Sequence, residues 1–273
     1  MQHCAHSAEH CKPRAFTLVE LLVVIGIIAM LISVLLPALS AAQRQARTVK
    51  CASNMRTLGQ LLYMYANDNR GLLPAGSTDV GPSPNSNGNN FTWDDGLNRY
   101  VGRNQPWTEL TNQWNPVANP IFECPDDRYD RSILYSPYKT RSYSMVEASK
   151  GYNLPVLGMA TRNFQFTTGW PLNTYFRHFH ISEAPNASET LLLAEKPMLG
   201  NTYVNILGHA GGSIVDCPDN QMLGLSAPLH KGRWNYLMVD GHVELLRPEQ
   251  TIRAPNTTAT LPPNYMWTRT PND

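Results

Sequence analysis

Few side chains in this sequence carry chemistry, and they fall into three groups. Glu20 is the sole ionisable residue between Phe16 and Gln43, inside the apolar run FTLVELLVVIGIIAMLISVLLPALSAAQ. A carboxylate in hydrocarbon costs on the order of 2–3 kcal/mol, which calls for a cationic partner. The alternative is a place at the helix start, where it favours the positive end of the helix dipole and reaches the membrane interface. The second group is His230, Asp240-Gly241, His242 and Glu244, imidazoles and carboxylates of the kind that bind metals or move protons. The third, Asp216 and Asp219 around Cys217, offers hard oxygen ligands of the kind Ca²⁺ takes.

Spacing favours structural roles for most of them. Asp-Gly between two apolar runs, in RWNYLMVDGHVELL, is the signature of a two-residue hairpin turn, so Asp240 reads as a turn residue. If the chain between His230 and Asp240 is extended, ten steps of about 3.3 Å hold them roughly 33 Å apart. That distance argues against a metal or catalytic pair and makes His230 a loop histidine at the strand start. His242 and Glu244 share a strand face, and with Asp216 and Asp219 they are weak metal candidates. No ligand ladder like an EF-hand loop accompanies them, so no cofactor is expected, Ca²⁺ being the one ion the acidic residues would suit. There is no G-x-S-x-G elbow, H-E-x-x-H, P-loop or G-x-G-x-x-G, and an enzyme is not expected. The aromatic and basic stretch Tyr175–His180 reads as a packed edge strand or loop rather than a ligand site.

Of five cysteines, Cys51, Cys124 and Cys217 lie beyond the first fifteen residues. Three is odd, so at most one intramolecular disulfide can form, and spacing does not say which. Cys51 reads first as a small buried hydrophobe. His3, Cys4, His6, His10 and Cys11 resemble a small metal cluster, but their position suits a segment that is discarded. The formal net charge is +1, and Lys12 and Arg14 against Glu9 account for it, so the chain from Phe16 onward is neutral. A neutral chain has no electrostatic argument for nucleic acid.

The elements that position these residues start with the apolar run. About 20 apolar residues at about 1.5 Å each match a hydrocarbon layer about 30 Å thick, which predicts a membrane span. Pro37 removes one helical hydrogen bond and kinks rather than ends the segment. Cys51, Met55, Leu58, Leu62 and Tyr65 then form a stripe that predicts a helix packed on its own domain. Asn67 to Gly71 reads as the stop, with Gly71 as a left-handed cap, giving a helix roughly 80 Å long. The stretch AGSTDVGPSPNSNGNN is too polar to pack and reads as a mobile loop, with Trp93, Trp107 and Trp114 anchoring the loops beyond. Strands are predicted at Arg141–Val146, Thr190–Ala194, Asn201–Leu207 and Arg233–Val239. In a two-residue turn Met238 faces Val243 and Tyr236 faces Leu245, so that Tyr236, Met238, Val243 and Leu245 pack on the helix.

The residues KPRAFTLVELLVVI, with a proline at Pro37, resemble the N-terminal processing segment of type IV prepilins and type II secretion pseudopilins. The resemblance implies that a prepilin peptidase cuts between Ala15 and Phe16, that Phe16 is N-methylated, and that Glu20 is the assembly carboxylate. Ala15 departs from the family's usual glycine before the cut, and both are small. VKCASNMRTLGQLLYMYANDNRGLLP extends the likeness, and His230 with Asp240-Gly241 matches the H-x9-DG pattern found at the C-terminal end of many such proteins. Phe122-Glu123-Cys124-Pro125 is a weaker landmark between them.

The expected organisation is a prepilin leader at 1–15, a transmembrane helix at 16–36, its amphipathic continuation at 37–70 and an exported globular domain at 71–273 containing the H-x9-DG region. The expected fold is α+β and pilin-like, a long N-terminal helix packed on a small antiparallel sheet with long loops. The implied partners are the prepilin peptidase, other pilin or pseudopilin subunits and the bacterial inner membrane. The protein would cross that membrane once with its C-terminal domain periplasmic, and then enter a periplasmic or cell-surface fibre. Two further readings stand beside this one: an anchored, exported module binding a glycan or protein through Trp/Tyr-rich loops, and a metal-dependent envelope enzyme. Ser40-Ala41-Ala42 is a possible signal-peptidase site, but the apolar run exceeds the 7–15 residues of a signal core.

Overall fold

The computed structural model describes residues 17–79, 90–104, 106, 119–128, 141–146, 159, 162–164, 178–184, 186–196, 214–215 and 229–251. The chain divides into two units, Met1–Gln45 and Ala46–Asp273. One helix, α1, runs from Leu18 to Asp68 and continues through Pro37. In the first unit every large apolar residue of α1 from Leu18 to Leu39 is exposed, Met30 at 74% and Val34 at 70% among them. Length and composition are those of a membrane span, and among the described residues none buries this surface.

The second unit begins where α1 becomes amphipathic. Cys51, Met55, Leu58, Leu62 and Ala66 are buried, while Tyr65 is half-buried with its ring edge-on to Tyr100, centroids 6.1 Å apart. The predicted stripe is therefore the packed face of the helix. It also carries a buried asparagine that periodicity did not flag. Asn54 Nδ2 donates to the carbonyls of Pro120 (3.3 Å) and Glu123 (3.0 Å), tying a short 3₁₀ turn at Pro120–Phe122 to the helix.

The larger sheet contains β3 (Tyr143–Val146), β5 (Leu191–Glu195), β6 (Ile214–Val215), β7 (Trp234–Met238) and β8 (Val243–Leu246), in the order β6-β3-β5-β7-β8. The run β3-β5-β7-β8 is antiparallel throughout, and β6 pairs parallel with β3 at the edge. This is the α+β arrangement expected of the sequence, with a parallel edge strand added. The strands predicted around 143, 191 and 234 are present; the one predicted at 201–207 lies outside the described residues. Three positions in a row across the sheet, Met145, Leu193 and Leu237, face α1. Leu237 reaches the helix where Gly59 leaves room, and a Cβ built at Gly59 would lie 3.1 Å from both Leu237 methyls.

A smaller sheet has the order β2-β1-β4, built from β1 (Ser77–Asp79), β2 (Asn90–Thr92) and β4 (Arg162–Phe164). It corrects the reading of the Gly/Ser/Asn/Pro stretch as an unpacked loop: Ala75 is buried, and the two ends of the stretch enter strands that pair with each other. The backbone hydrogen bonds of a sheet do not require apolar side chains, so the polarity of the segment was a poor guide. Trp93, on the short helix α2 (Trp93–Gly96), is fully buried with its ring edge-on to Phe122 at 5.6 Å. Trp107 and Trp114 lie outside the described residues.

The β7–β8 hairpin corrects a second expectation. Leu237 pairs with Val243, Asn235 with Leu245 and Tyr236 with Glu244, one residue out of the expected register. Gly241 N–H donates to the Met238 carbonyl at 3.0 Å, and Gly241 has φ +94°. The loop is Val239-Asp240-Gly241, three residues with glycine in the left-handed position. It is held from outside the hairpin, since Val239 N–H donates to Thr190 (2.9 Å) and Asp240 N–H to Ala187 (3.0 Å). A slip of one residue exchanges the faces of a strand, so Leu237 packs on the helix in place of Tyr236 and Met238.

The end of α1 also differs in detail. Gly71 N–H reaches back to the Ala66 carbonyl (2.7 Å), and the left-handed position before it is filled by Arg70 at φ +57°. Gly71 follows at φ +84°, and a Cβ there would lie 2.0 Å from His180 Nε2. The His180 ring is held there by Ser182, whose N–H (3.2 Å) and hydroxyl (2.6 Å) both meet Nδ1, so the ring must leave those bonds to make room. Gly71→Ala is expected to cost about 2–3 kcal/mol, read as a lower denaturant midpoint for the full chain in detergent. An unchanged midpoint would show the junction to be loose.

Beside this core, Thr92, Asp94, Asp95 and Arg141 form a buried polar cluster, with Arg141 paired to Asp94. The Thr92 hydroxyl lies 2.6 Å from Asp94 Oδ1 and 2.9 Å from Asp95 Oδ2, and its single proton cannot serve both. A protonated Asp95 resolves the conflict. Burial and then the adjacent Asp94 push its carboxyl up to about 8, against the pull of Thr92 and Arg103. The folded state thus keeps a proton that the unfolded chain releases near pH 4, so stability should fall as pH rises from about 4 towards 8. Asp95→Asn is expected to flatten that slope in denaturant titrations at pH 5 and pH 8; an unchanged slope would assign it elsewhere.

Candidate functional site

The first unit contributes Glu20. Thr17 N–H (2.9 Å) and Thr17 Oγ1 (2.8 Å) both donate to Glu20 Oε2, and Glu20 N–H donates back to Thr17 Oγ1 at 3.2 Å. This is a reciprocal capping box that closes the first turn of α1. Glu20 thereby serves the helix start, one of the two roles open to it from sequence. The carboxylate remains exposed. Ala15 and Phe16 lie outside the described residues.

The second unit contains a buried polar site around His230. The chain turns into β7 through His230, Lys231 and Gly232, all at positive φ (+43°, +62° and +79°). This turn drives the imidazole inward, where the side chain is 1% exposed. Nε2 lies 3.1 Å from Glu195 Oε1, at the end of β5, and 3.7 Å from Cys124 Sγ. On the other side, Nδ1 lies 3.1 Å from Asp126 Oδ2 and 3.0 Å from Thr48 Oγ1 on α1. Burial alone pushes the imidazole down, but the hydrogen bond and charge of Glu195, then of Asp126, outweigh it and hold His230 above its ordinary value. An imidazolium donating from both nitrogens suits two flanking carboxylates.

Each carboxylate has further support. Glu195 is fully buried; its Oε2 accepts from Asn235 N–H (2.7 Å) and its Oε1 from Asn235 Nδ2 (3.0 Å). Asp126 Oδ1 accepts from Arg47 Nε at 2.7 Å. Against this network lies a disulfide between Cys51 on α1 and Cys124, and the Tyr143 hydroxyl donates to the Cys51 carbonyl at 3.4 Å. Cys51 is thus a disulfide partner rather than a plain buried hydrophobe. The pairing was undecidable from spacing because 73 positions separate the two in sequence. Cys217 lies outside the described residues.

His230 and Asp240 occupy opposite ends of β7 and have different partners. Asp240 Oδ1 accepts from His242 N–H (3.1 Å) and lies 2.6 Å from His242 Nδ1. His242 Nε2 lies 3.5 Å from Glu244 Oε1, and these side chains are 37–47% exposed. Nearby, the Tyr63 hydroxyl donates to the Val239 carbonyl, and the Gly241 backbone passes Tyr63, whose ring would be 3.8 Å from a Cβ there. The H-x9-DG region is therefore hydrogen-bonded to α1 near both of its ends, through His230 to Thr48 and through Val239 to Tyr63. Asp216 and Asp219 lie outside the described residues, as do Tyr175 to Arg177; His178 Nδ1 lies 3.3 Å from the Leu73 carbonyl.

Glu195, Asp126, Asn235, Thr48 and Arg47 were not singled out from sequence. Glu195 did leave a signal: a carboxylate closing the apolar run LLLAE, on a strand buried along its length, must be paired inside the protein. The other four carry no such mark, because surface strands and helices hold the same residue types.

A family model described as the prokaryotic N-terminal methylation motif matches residues 11–36. No curated protein and no solved structure shows significant similarity to the chain. The match takes in Ala15, Phe16, Glu20 and the exposed apolar residues of α1 as far as Leu36. It supports a prepilin-like protein of the type IV pilin or pseudopilin type, and implies processing by a prepilin peptidase and assembly with other pilin subunits.

Proposed function

We propose that the chain is a structural subunit of a type II secretion pseudopilus or type IV pilus-like fibre. It is cut between Ala15 and Phe16, N-methylated on Phe16, held in the inner membrane by one span with residues 71–273 on the periplasmic side, and assembled through its N-terminal helix. The observation that carries this reading is the overlap of the methylation motif with a helical surface whose large apolar side chains are exposed from Leu18 to Leu39. Lipid covers such a surface first, and the helices of neighbouring subunits cover it afterwards. The Cys51–Cys124 disulfide adds support for export, since disulfides persist in oxidising compartments outside the cytoplasm.

In this reading the Glu20 carboxylate meets the Phe16 ammonium of a neighbouring subunit. Both charges are costly alone in a low-dielectric bundle and tolerable together. Glu20→Leu should therefore insert normally yet fall in the sheared fibre fraction by about a hundredfold or more, since stranding one partner of a buried pair costs about 3–5 kcal/mol. Immunoblots of membrane and fibre fractions, with mass spectrometry of the mature N-terminus, make the test. Equal incorporation of Glu20→Leu, or a chain starting near Gln43, would overturn the reading. An anchored protein that tolerates the change and retains a glycan or protein ligand would instead be a binding module. The role is structural, with no catalytic step assigned to any residue.

A further inference from the structure

Cys51 Sγ, Cys124 Sγ, Glu195 and His230 each present one ligand atom, all within 4.8 Å of one another, and all four residues are buried. A disulfide is a poor metal ligand, whereas two thiolates, an imidazole and a carboxylate form a tetrahedral set of the kind zinc takes. We propose that this site has two exclusive states: a disulfide when oxidised, and a Cys51–Cys124–His230–Glu195 zinc site when reduced. The proposal does not depend on fibre assembly.

Three observations carry it beyond proximity. First, Nε2 of His230 lies 3.7 Å from Cys124 Sγ and 3.1 Å from Glu195 Oε1. Bonds of about 2.0–2.3 Å at tetrahedral angles set ligand–ligand distances of about 3.3–3.8 Å, so these atoms need only small shifts. Second, the supporting shell is complete. Asp126 and Thr48 hold Nδ1 of His230, and Asn235 holds both oxygens of Glu195. A carboxylate behind the ligating histidine fixes its ring and raises its basicity, as metal sites require. Third, the Arg47–Asp126 pair beside the site is part-exposed, at 26% and 17%, and gives an ion an approach.

The chemistry balances. A thiol or phosphine reductant delivers two electrons to the Cys51–Cys124 bond, giving two thiols and the oxidised reductant. One Zn²⁺ then displaces three protons to solvent, one from each thiol and one from Nε2 of the His230 imidazolium, and accepts lone pairs from both sulfurs, His230 Nε2 and Glu195 Oε1. The sulfurs move apart to admit the ion. A small-molecule disulfide, itself reduced to two thiols, takes the two electrons back, re-forms the Cys51–Cys124 bond and expels the ion.

The test uses the full chain in detergent, with Cys4, Cys11 and Cys217 changed to Ser so that no other thiol contributes. Cobalt(II) is the probe. Oxidised protein serves as the blank and should show no thiolate-to-cobalt charge-transfer absorption. After reduction with a phosphine and its removal, one cobalt per chain should give that absorption and be displaced by zinc. Asp126→Asn, which leaves all four ligands in place, should weaken uptake by about 10–100-fold. A second measurement guards against unfolding on reduction: zinc should raise the denaturation midpoint of reduced protein and leave that of oxidised protein unchanged. If the reduced chain lacks the absorption, or if zinc fails to raise its midpoint whether or not it starts folded, the proposal is wrong.

Discussion

Replacing Cys51 and Cys124 together by serine, in chelator-treated full chain, is expected to lower the unfolding free energy by about 4 kcal/mol. The disulfide spans 73 positions, and cross-linking a loop of that size removes about that much conformational freedom from the unfolded chain. The native contacts should survive, because Met55, Leu58 and Leu62 on α1 remain packed on the sheet. The expected signature is a large drop in denaturant midpoint with little change in the content of helix and strand. A drop below about 1 kcal/mol would mean that the unfolded chain is already confined by other contacts. The comparison also isolates the covalent bond from the His230 network beside it.

Removal of Glu195 should be comparably damaging by a different route. Its carboxylate receives the Asn235 backbone and side-chain N–H groups and faces His230, all inside the protein. Glu195→Leu fills similar space but leaves a charged imidazole and two amide donors stranded, at a cost of about 3–5 kcal/mol. Glu195→Gln keeps a carbonyl oxygen and should cost less, about 1–3 kcal/mol. Pairing Glu195→Leu with His230→Leu provides the internal control. Once both charges are gone the strain of an unpaired one disappears, so the double variant should be more stable than the sum of the two single losses. Strict additivity in the denaturant midpoints would show that the two side chains do not act as a pair.

These expectations separate what is local in this chain from what is not. The long helix Leu18–Asp68 was legible because an apolar span and a three-four stripe are periodic signals carried by neighbouring residues. The strands around 143, 191 and 234 were legible for the same reason. The hairpin was found, yet its register was missed by one residue. Asp-Gly specifies a turn without specifying whether Val239 belongs to it, and that was settled by Thr190 and Ala187 reaching in from the β5 side.

By itself the sequence determined the membrane-type helix, the placement of Glu20 near its start and the α+β class, all properties of residues within a few positions of each other. Only the tertiary structure decided that Cys51 bonds Cys124, that Leu237 rather than Tyr236 meets the helix, and that His230 is enclosed by Glu195, Asp126 and Thr48. Those partners lie 35 to 182 positions away along the chain. Pattern reading extends over a turn or a strand; a burial shared by four distant segments exists only once the sheet has closed on the helix.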